Sequence, residues 1–579
     1  MNILENRKWT ISPDAPAVLS IESGRIFFVS REDGQWFVRQ SWNRCSAPEH
    51  IWMISGCSSV SYHIAAAAFA KPFGGGLTLE LRAGTVEEHP RYPHADALGN
   101  RIEISVPGGD GLMAAQAAFY WDTLMPCVVE RSAECYPDGY VLSTLQTSVY
   151  GGTYPDVDHE FQCCGRIAMS GDLDLDLVRR MIELQCRLMR EDPAGLWRNP
   201  CSLQPTGVRE YHMRRNSMDM KTNAVMFLIT GNVEVLQSAW LYVASRKDLG
   251  WLRAHIEDLE GAASLTESLL DPCDRLWSDV YYEDQVMKDG AECMSAALAA
   301  HAFGQLAELE LLLDRKERAA HYRDLELRIS RQLVKPVPMG FWDGENRRFI
   351  DWLDRNGDVH DHLHLLSNEL PVLLGYADGA QAAAVDRVIQ DNLAEFQRFP
   401  TFMAARIQDY TDSEIGDGGP YDLCAAGRYW RWDAAYWQHF RNGEMLGKQL
   451  SHVAAQGETD GYHMGERYDM NHVYYTSDIN WHGAAYYYEY PNVFLWVLIH
   501  DYLGVQPCLE ADLKLQPLVP AGTEILLESA GVAYRWDGVQ FIVRNLRKTA
   551  LSLNVDLSGV REDAQPPTLS LEPGEEKIL

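Results

Sequence analysis

Beyond residue 171 the apolar positions of the chain fall three and four apart. Leu177, Met181, Leu184 and Leu188 line one helical face, and Leu252, Ile256, Leu259 and Ala263 repeat the spacing. Ala319, Tyr322, Leu325, Ile329 and Leu333 form another stripe, and the Ala-rich stretch 291–313 also predicts a helix. Further helices are predicted around 363–376, 379–395, 434–456 and 481–503. Ahead of residue 170 the pattern is that of strands. The run 24–30 is apolar and rich in β-formers, while 77–82 and 101–106 alternate apolar with polar near Gly, Pro and Asp clusters. Short strands punctuated by turns predict a sandwich. After Pro507 strands return: 532–536 and 539–543 flank Asp537-Gly538, a hairpin signal, and Leu551, Leu553, Val555 and Leu557 alternate cleanly.

The predicted helices are separated by long loops rich in Trp, Tyr, His, Asp and Gly. Long loops inside a compact domain are commonly functional. No short sequence repeat is visible, which disfavours a regular solenoid. Helix pairs arranged in a ring, with their loops gathered at one end around a pocket, account for the pattern. The expected organisation is therefore mainly α: an N-terminal β-sandwich over 1–170, an (α/α)6 toroid over 171–506 and a small C-terminal β domain over 507–579.

Composition narrows the class of protein. The 579 residues are 46% hydrophobic and 23% charged, an ordinary globular balance. The formal charge of −31, from 51 basic and 82 acidic residues, argues against nucleic acid or an anionic membrane as partner. No run of about 18 apolar residues predicts a membrane span. Residues 1–20 lack an apolar segment behind basic residues, so no secretory leader is expected and a cytoplasmic location is. Twelve cysteines without a CxxC pair fit reduced thiols better than a zinc site.

Several loop segments carry candidate chemistry. Tyr282, Glu283 and Asp284 lie among aromatics just before the helix at 291–313. A carboxyl beside apolar walls and a like charge has a raised pKa, which suits a general acid, although acidic residues also favour helix starts on electrostatic grounds alone. Glu466, Tyr468 and Trp481 belong to a loop region crowded with tyrosines. Aromatic faces and hydrogen-bonding edges suit a sugar ring, and an aromatic packing surface is the alternative. Arg428, Trp430, Arg431 and Asp433 form a third segment, able to clamp a polar substrate or simply to pack. Trp352, Asp361 and His364 precede another helix, and Arg214 and Asp219 open a further loop. The histidines at 360, 362 and 364 could bind metal, but their spacing matches no familiar site, so no metal or other cofactor is expected.

In this order the segments resemble the six-hairpin glycosidases, above all glucoamylases, trehalases and the related glucosidases of glycoside hydrolase families 15, 37 and 63. The resemblance covers about 175–505. Glucoamylases carry Asp-Leu-Trp-Glu-Glu before an Ala-rich helix, its first Glu being the general acid. Asp279-Val280-Tyr281-Tyr282-Glu283-Asp284 is similar, with one residue inserted and Tyr in place of Trp. The insertion leaves Glu283 and Asp284 both open as the acid; trehalases use Asp there, which favours Asp284. Glu466-Arg467-Tyr468-Asp469 is similar to the Glu-Gln-Tyr-Asp and Glu-Lys-Tyr-Asp segments whose Glu activates water. Asp478 to Trp481 answers a further segment about a dozen residues on, and Tyr429-Trp430-Arg431 resembles a substrate-binding motif that lacks its usual Gly-Pro continuation.

The resemblance implies an inverting, exo-acting glycoside hydrolase. Asp284 or Glu283 would protonate the glycosidic oxygen while Glu466 activates water on the opposite face, with the carboxyls about 6.5–9.5 Å apart. The implied substrates are short, α-linked oligosaccharides or glycosides, bound by Arg214, Asp219, Tyr282, Trp352, Asp361, His364, Arg428, Trp430, Arg431, Asp433, Tyr468 and Trp481; a homo-oligomer is compatible with this reading. A glycoside phosphorylase, a uronide hydrolase or lyase on the same toroid, and a non-catalytic carbohydrate-binding protein remain as alternatives.

Overall fold

A computed structural model describes strands between Lys8 and His89, residues 101–124, 158–200, 230–277, 290–415, 423–468, 487–561 and 568–579, a few two-residue strands, and Val286 and Lys288. Among these residues, twelve helices build a two-layered ring. They are α1 (Asp110–Phe119), α2 (Asp158–Met169), α3 (Asp172–Arg190), α4 (Thr230–Arg246), α5 (Leu249–Ser268) and α6 (Cys293–Leu312), followed by α7 (Lys316–Leu333), α8 (Leu365–Leu373), α9 (Gly379–Asp391), α10 (Gly427–His439), α11 (Gly443–Thr459) and α12 (Glu489–Trp496). The even-numbered helices form the inner layer. Each packs on the next, α2 on α4, α4 on α6, α6 on α8, α8 on α10, α10 on α12, and α12 closes back on α2. The odd-numbered helices pack outside them. The chain thus has the (α/α)6 toroid that its helical spacing predicts.

The two layers explain which helices are legible in the sequence. Outer helices keep one wet face: α7 buries Ala319, Tyr322, Leu325, Ile329 and Leu333, the stripe read above. Inner helices are covered on all sides. In α4 the polar Asn232, Glu234, Gln237 and Ser238 are as buried as Val233, Val235 and Leu236. Such helices lose the 3.6-residue alternation, and α2 and α4 do not stand out. The helix predicted over 434–456 is really two, α10 and α11. They separate at Arg441, which takes a left-handed φ of 58°, and Asn442 caps α11 through the Met445 N–H at 3.0 Å.

Two boundaries need correction. The toroid begins with α1 and α2, well before the expected start at 171, because α2 is part of the inner ring, packed on α4 and α12, and α1 packs on α11 and α12. The strand Ile102–Ser105 belongs to the C-terminal sheet and not to the N-terminal domain, pairing Ile102 with Leu527 and Ser105 with Glu524. Alternation reveals a half-buried strand but not its distant partner. The strands between Lys8 and His89 form two antiparallel sheets, of five and of three strands. The C-terminal unit has a five-stranded sheet that includes Ile102–Ser105, and a four-stranded sheet. Its hairpin Val532–Trp536 with Phe541–Asn545 turns at Gly538, with φ of 97°, as the Asp-Gly signal requires. No helix among the described residues is long and apolar enough to cross a membrane.

The loops that lead into the inner helices are stitched together by backbone hydrogen bonds. Cys293 N–H donates to the Asp351 carbonyl at 3.1 Å, Leu365 to Met403 at 2.7 Å, Met403 to Leu423 at 3.2 Å, Tyr468 to Ala425 at 3.0 Å and Tyr487 to Met464 at 2.8 Å. This collar sits where α6, α8, α10 and α12 begin. Ring closure depends on close helix contact at α12. A Cβ placed on Gly165 of α2 would lie 2.9 Å from both the Cα and the carbonyl oxygen of Asn492. Gly165→Ala is expected to destabilise the protein by about 1–3 kcal/mol through this overpacking, read by denaturant unfolding. Gly111→Ala in α1, where a Cβ meets nothing within 4 Å, should leave stability unchanged or slightly raised.

Candidate active site

Glu466 lies in the collar just ahead of α12 and is only 4% exposed. Its Oε1 is 3.5 Å from Arg467 Nη1 and 3.7 Å from Arg428 Nη2. Arg428, in the first turn of α10, is itself held by Glu489 in the first turn of α12. Its backbone N–H, Nε and Nη2 donate to the Glu489 carboxylate at 2.5, 3.0 and 2.8 Å. Arg467 Nη1 comes within 3.9 Å of the same carboxylate. Two carboxylates and two guanidinium groups thus interleave at the seam between α10 and α12. The charges are buried and balance, a condition under which such groups are tolerated inside a protein. The expected base carboxylate therefore points inward, fixed between two cations.

Glu283 and Asp284, with Tyr282, Arg214, Asp219 and Trp481, lie outside the described residues. A second network is seen at Lys288 and in the strand that leads into α6. Lys288 Nζ, fully buried, donates to Glu292 Oε1 at 2.5 Å and to Asp351 Oδ1 at 2.8 Å. Ser295 Oγ donates to the other Glu292 oxygen, and Tyr410 Oη donates to Asp351 Oδ2 at 3.0 Å. Strand Gly290–Glu292 then pairs with Trp352–Asp354. A side chain on Gly290 would strike the Leu353 carbonyl oxygen, at 1.9 Å from its Cβ, so only glycine fits this approach.

The remaining sequence candidates turn out to hold the fold together. Trp430 is completely buried and its Nε1 donates to Gln449 Oε1 of α11 at 3.0 Å, so it packs between the two layers of helices. Asp433 accepts from Gln397 at 2.7 Å, Gln449 at 2.7 Å and the Thr401 hydroxyl. Burial and the nearby Asp433 push the Glu369 carboxyl well above its usual range, and burial raises Asp433 too. Arg431 reaches Glu160 of α2 at 2.5 Å and sits 4.1 Å over the Trp432 ring. Burial raises the Glu160 carboxyl, an effect Arg431 opposes.

Tyr468 donates to Asp460 at 2.5 Å, accepts from Gly465 N–H at 2.8 Å and stacks on Phe399, which braces the loop holding Glu466. Asp361 is clamped bidentately by Arg348 at 3.0 and 2.8 Å. His364 caps α8, its Nδ1 accepting from Ser367 N–H at 3.1 Å. Trp352 is 1% exposed beneath His360, with ring centroids 4.0 Å apart. Of the expected substrate ligands within the described residues, only Arg428 stands beside Glu466. Trp430, Arg431, Asp433, Tyr468, Asp361 and His364 each make contacts within the protein that join elements of the fold. Glu489 and Lys288 went unread, since a lone Glu in a helical turn and a lone Lys in a loop carry no local signal.

No protein-family model matches the chain, and no curated protein matches it in sequence. Solved structures do. The GH78-family rhamnosidase of Bacillus sp. GL1 superposes with a TM-score of 0.52 at 11% identity, over 90% of this chain and 52% of that one. An α-L-rhamnosidase from Aspergillus terreus gives 0.53 at 12% identity, over 98% and 64% respectively. The chain thus spans about half to two-thirds of the length of these relatives. At such identities the likeness concerns the fold: a six-hairpin toroid with flanking β domains, shared with glycosidases.

Replacing Arg428 by Met would leave Glu489 buried without its main partner. The variant is expected to lose about 3–5 kcal/mol of stability by denaturant unfolding, the scale of breaking a buried ion pair.

Proposed function

We propose that this protein is an inverting, exo-acting glycoside hydrolase that releases a terminal sugar from short α-linked oligosaccharides or glycosides. The observation that carries this reading is the buried Glu466 carboxylate, held between Arg428 and Arg467 in the collar of the toroid. A fixed acceptor with both oxygens withdrawn from bulk solvent suits abstraction of a proton from one positioned water. The toroid shared with two rhamnosidases supports glycoside chemistry and makes α-L-rhamnosides the first substrates to try.

Glu283 and Asp284 precede Lys288 in sequence by a few residues and remain the candidates for the acid. In the proposed mechanism one of them protonates the leaving oxygen, and Glu466 takes a proton from water as that water attacks the anomeric carbon from the opposite face. Direct displacement inverts the centre and needs room for the water between the carboxyls. Arg428 and Arg467 hold the base in orientation, and neither enters the reaction.

A panel of nitrophenyl glycosides, with the α-L-rhamnoside foremost, tests the activity, and proton NMR of the first-formed anomer tests the stereochemistry. Inverted product is expected. Glu466→Gln should lower kcat by about 10²–10⁴-fold while sugar binding persists. Retained configuration, or full activity in that variant, would overturn the mechanism; turnover that requires inorganic phosphate would identify a phosphorylase in its place.

A further inference from the structure

Two histidines and a glutamate converge beside the collar without serving the acid–base pair. His360 and His362 precede α8, and Glu414 comes from the short helix Asp412–Ile415 ahead of α10. His360 Nδ1 is 2.7 Å and His362 Nε2 is 3.0 Å from the same oxygen, Glu414 Oε1. All three potential ligand atoms lie within 4.8 Å of one another. The other carboxylate oxygen accepts the Thr411 N–H at 2.7 Å and its hydroxyl at 2.9 Å. His360 is stacked on Trp352, and His362 on Tyr410 with centroids 3.7 Å apart and planes 15° from parallel. Both imidazole planes are therefore set by neighbours and cannot swing freely.

We propose that His360, His362 and Glu414 bind a divalent transition-metal ion of the Zn²⁺ or Co²⁺ type, which ties the segment before α8 to the segment before α10. The ligand atoms are near enough for this. Two atoms each about 2.1 Å from one tetrahedral ion lie about 3.4 Å apart, so the hydrogen bonds of 2.7 and 3.0 Å found here open slightly as the ion replaces their protons. The ligand set, two neutral imidazoles with one carboxylate, leaves further coordination positions open. The three side chains line a cavity of about 290 Å³, together with Arg348, Arg406 and Asp409. Thr411 orients the carboxylate, as outer partners of metal ligands do. Arg348 is taken by Asp361 and does not neutralise Glu414.

A second trio, Cys186, His255 and Asp258, is less suited. Arg190 holds both Asp258 oxygens, at 2.9 and 2.7 Å. Burial also pushes the Cys186 thiol well above its usual range, against the thiolate a metal needs.

The test uses the untagged full chain, stripped with EDTA and titrated with Zn²⁺ by calorimetry and with Co²⁺ by visible absorption. One equivalent is expected at a micromolar or lower Kd, and no sugar need be present. Glu414→Gln and His362→Gln should each weaken binding by about tenfold or more, while His255→Ala leaves it unchanged. Thermal melts of the metal-free variants check that lost binding is not lost folding, and either variant alone suffices if the other fails to fold. Absence of a stoichiometric Zn²⁺ or Co²⁺ complex below about 100 µM, or unaltered affinity in both ligand variants, would overturn the proposal.

Discussion

Closure of the inner helical ring at α12 is the contact on which the rest of the structure depends. This helix is gripped by glycines of both neighbours. Gly165 of α2 lies against Asn492, and Gly427 of α10 lies so near Tyr490 that a Cβ would stand 2.9 Å from the Tyr490 nitrogen. Without side chains at these two points the three backbones approach closely, and the sixth inner helix completes the circle. That approach also brings the first turns of α10 and α12 together. Arg428 can then meet Glu489, and Glu466 can settle beside them.

The closed ring forces charge into its interior, and the way this charge is partnered separates function from architecture. Arg431 with Glu160, and Lys288 with Asp351 and Glu292, are each buried and each matched within the protein. An unmatched charge at such places would be strongly destabilising, so these residues link specific helices and loops in a fixed arrangement. Glu466 belongs to the same kind of cluster, but its position in the collar sets it apart. It stands in the segment just before α12, where the first turns of α10 and α12 meet, next to Arg428 and Arg467.

The collar is itself a consequence of the ring. Among the described residues, the connections into α6, α8, α10 and α12 meet at one rim, where their backbone groups need partners. They satisfy one another in the chain of bonds from Cys293–Asp351 through Leu365–Met403 and Met403–Leu423 to Tyr468–Ala425. Segments far apart in sequence are joined in this way into one rigid rim. The same rim places His360 and His362 opposite Glu414, about fifty positions along the chain.

The sequence alone determined the amphipathic outer helices, the C-terminal hairpin at Asp537-Gly538 and the existence of a helical ring. Each rests on local periodicity or turn chemistry, which neighbouring residues suffice to express. It also singled out Glu466, through a short segment similar to known glycosidases. Only the tertiary structure decided that α1 and α2 belong to the toroid, that Ile102–Ser105 joins the last sheet, and that Trp430, Asp433 and His364 serve packing and capping. A helix buried on all faces has no stripe to read, and a polar side chain shows its role only through its partner. Those partners, Gln449 for Trp430, Thr401 for Asp433 and Glu489 for Arg428, come from other elements of the fold, and no local pattern announces them.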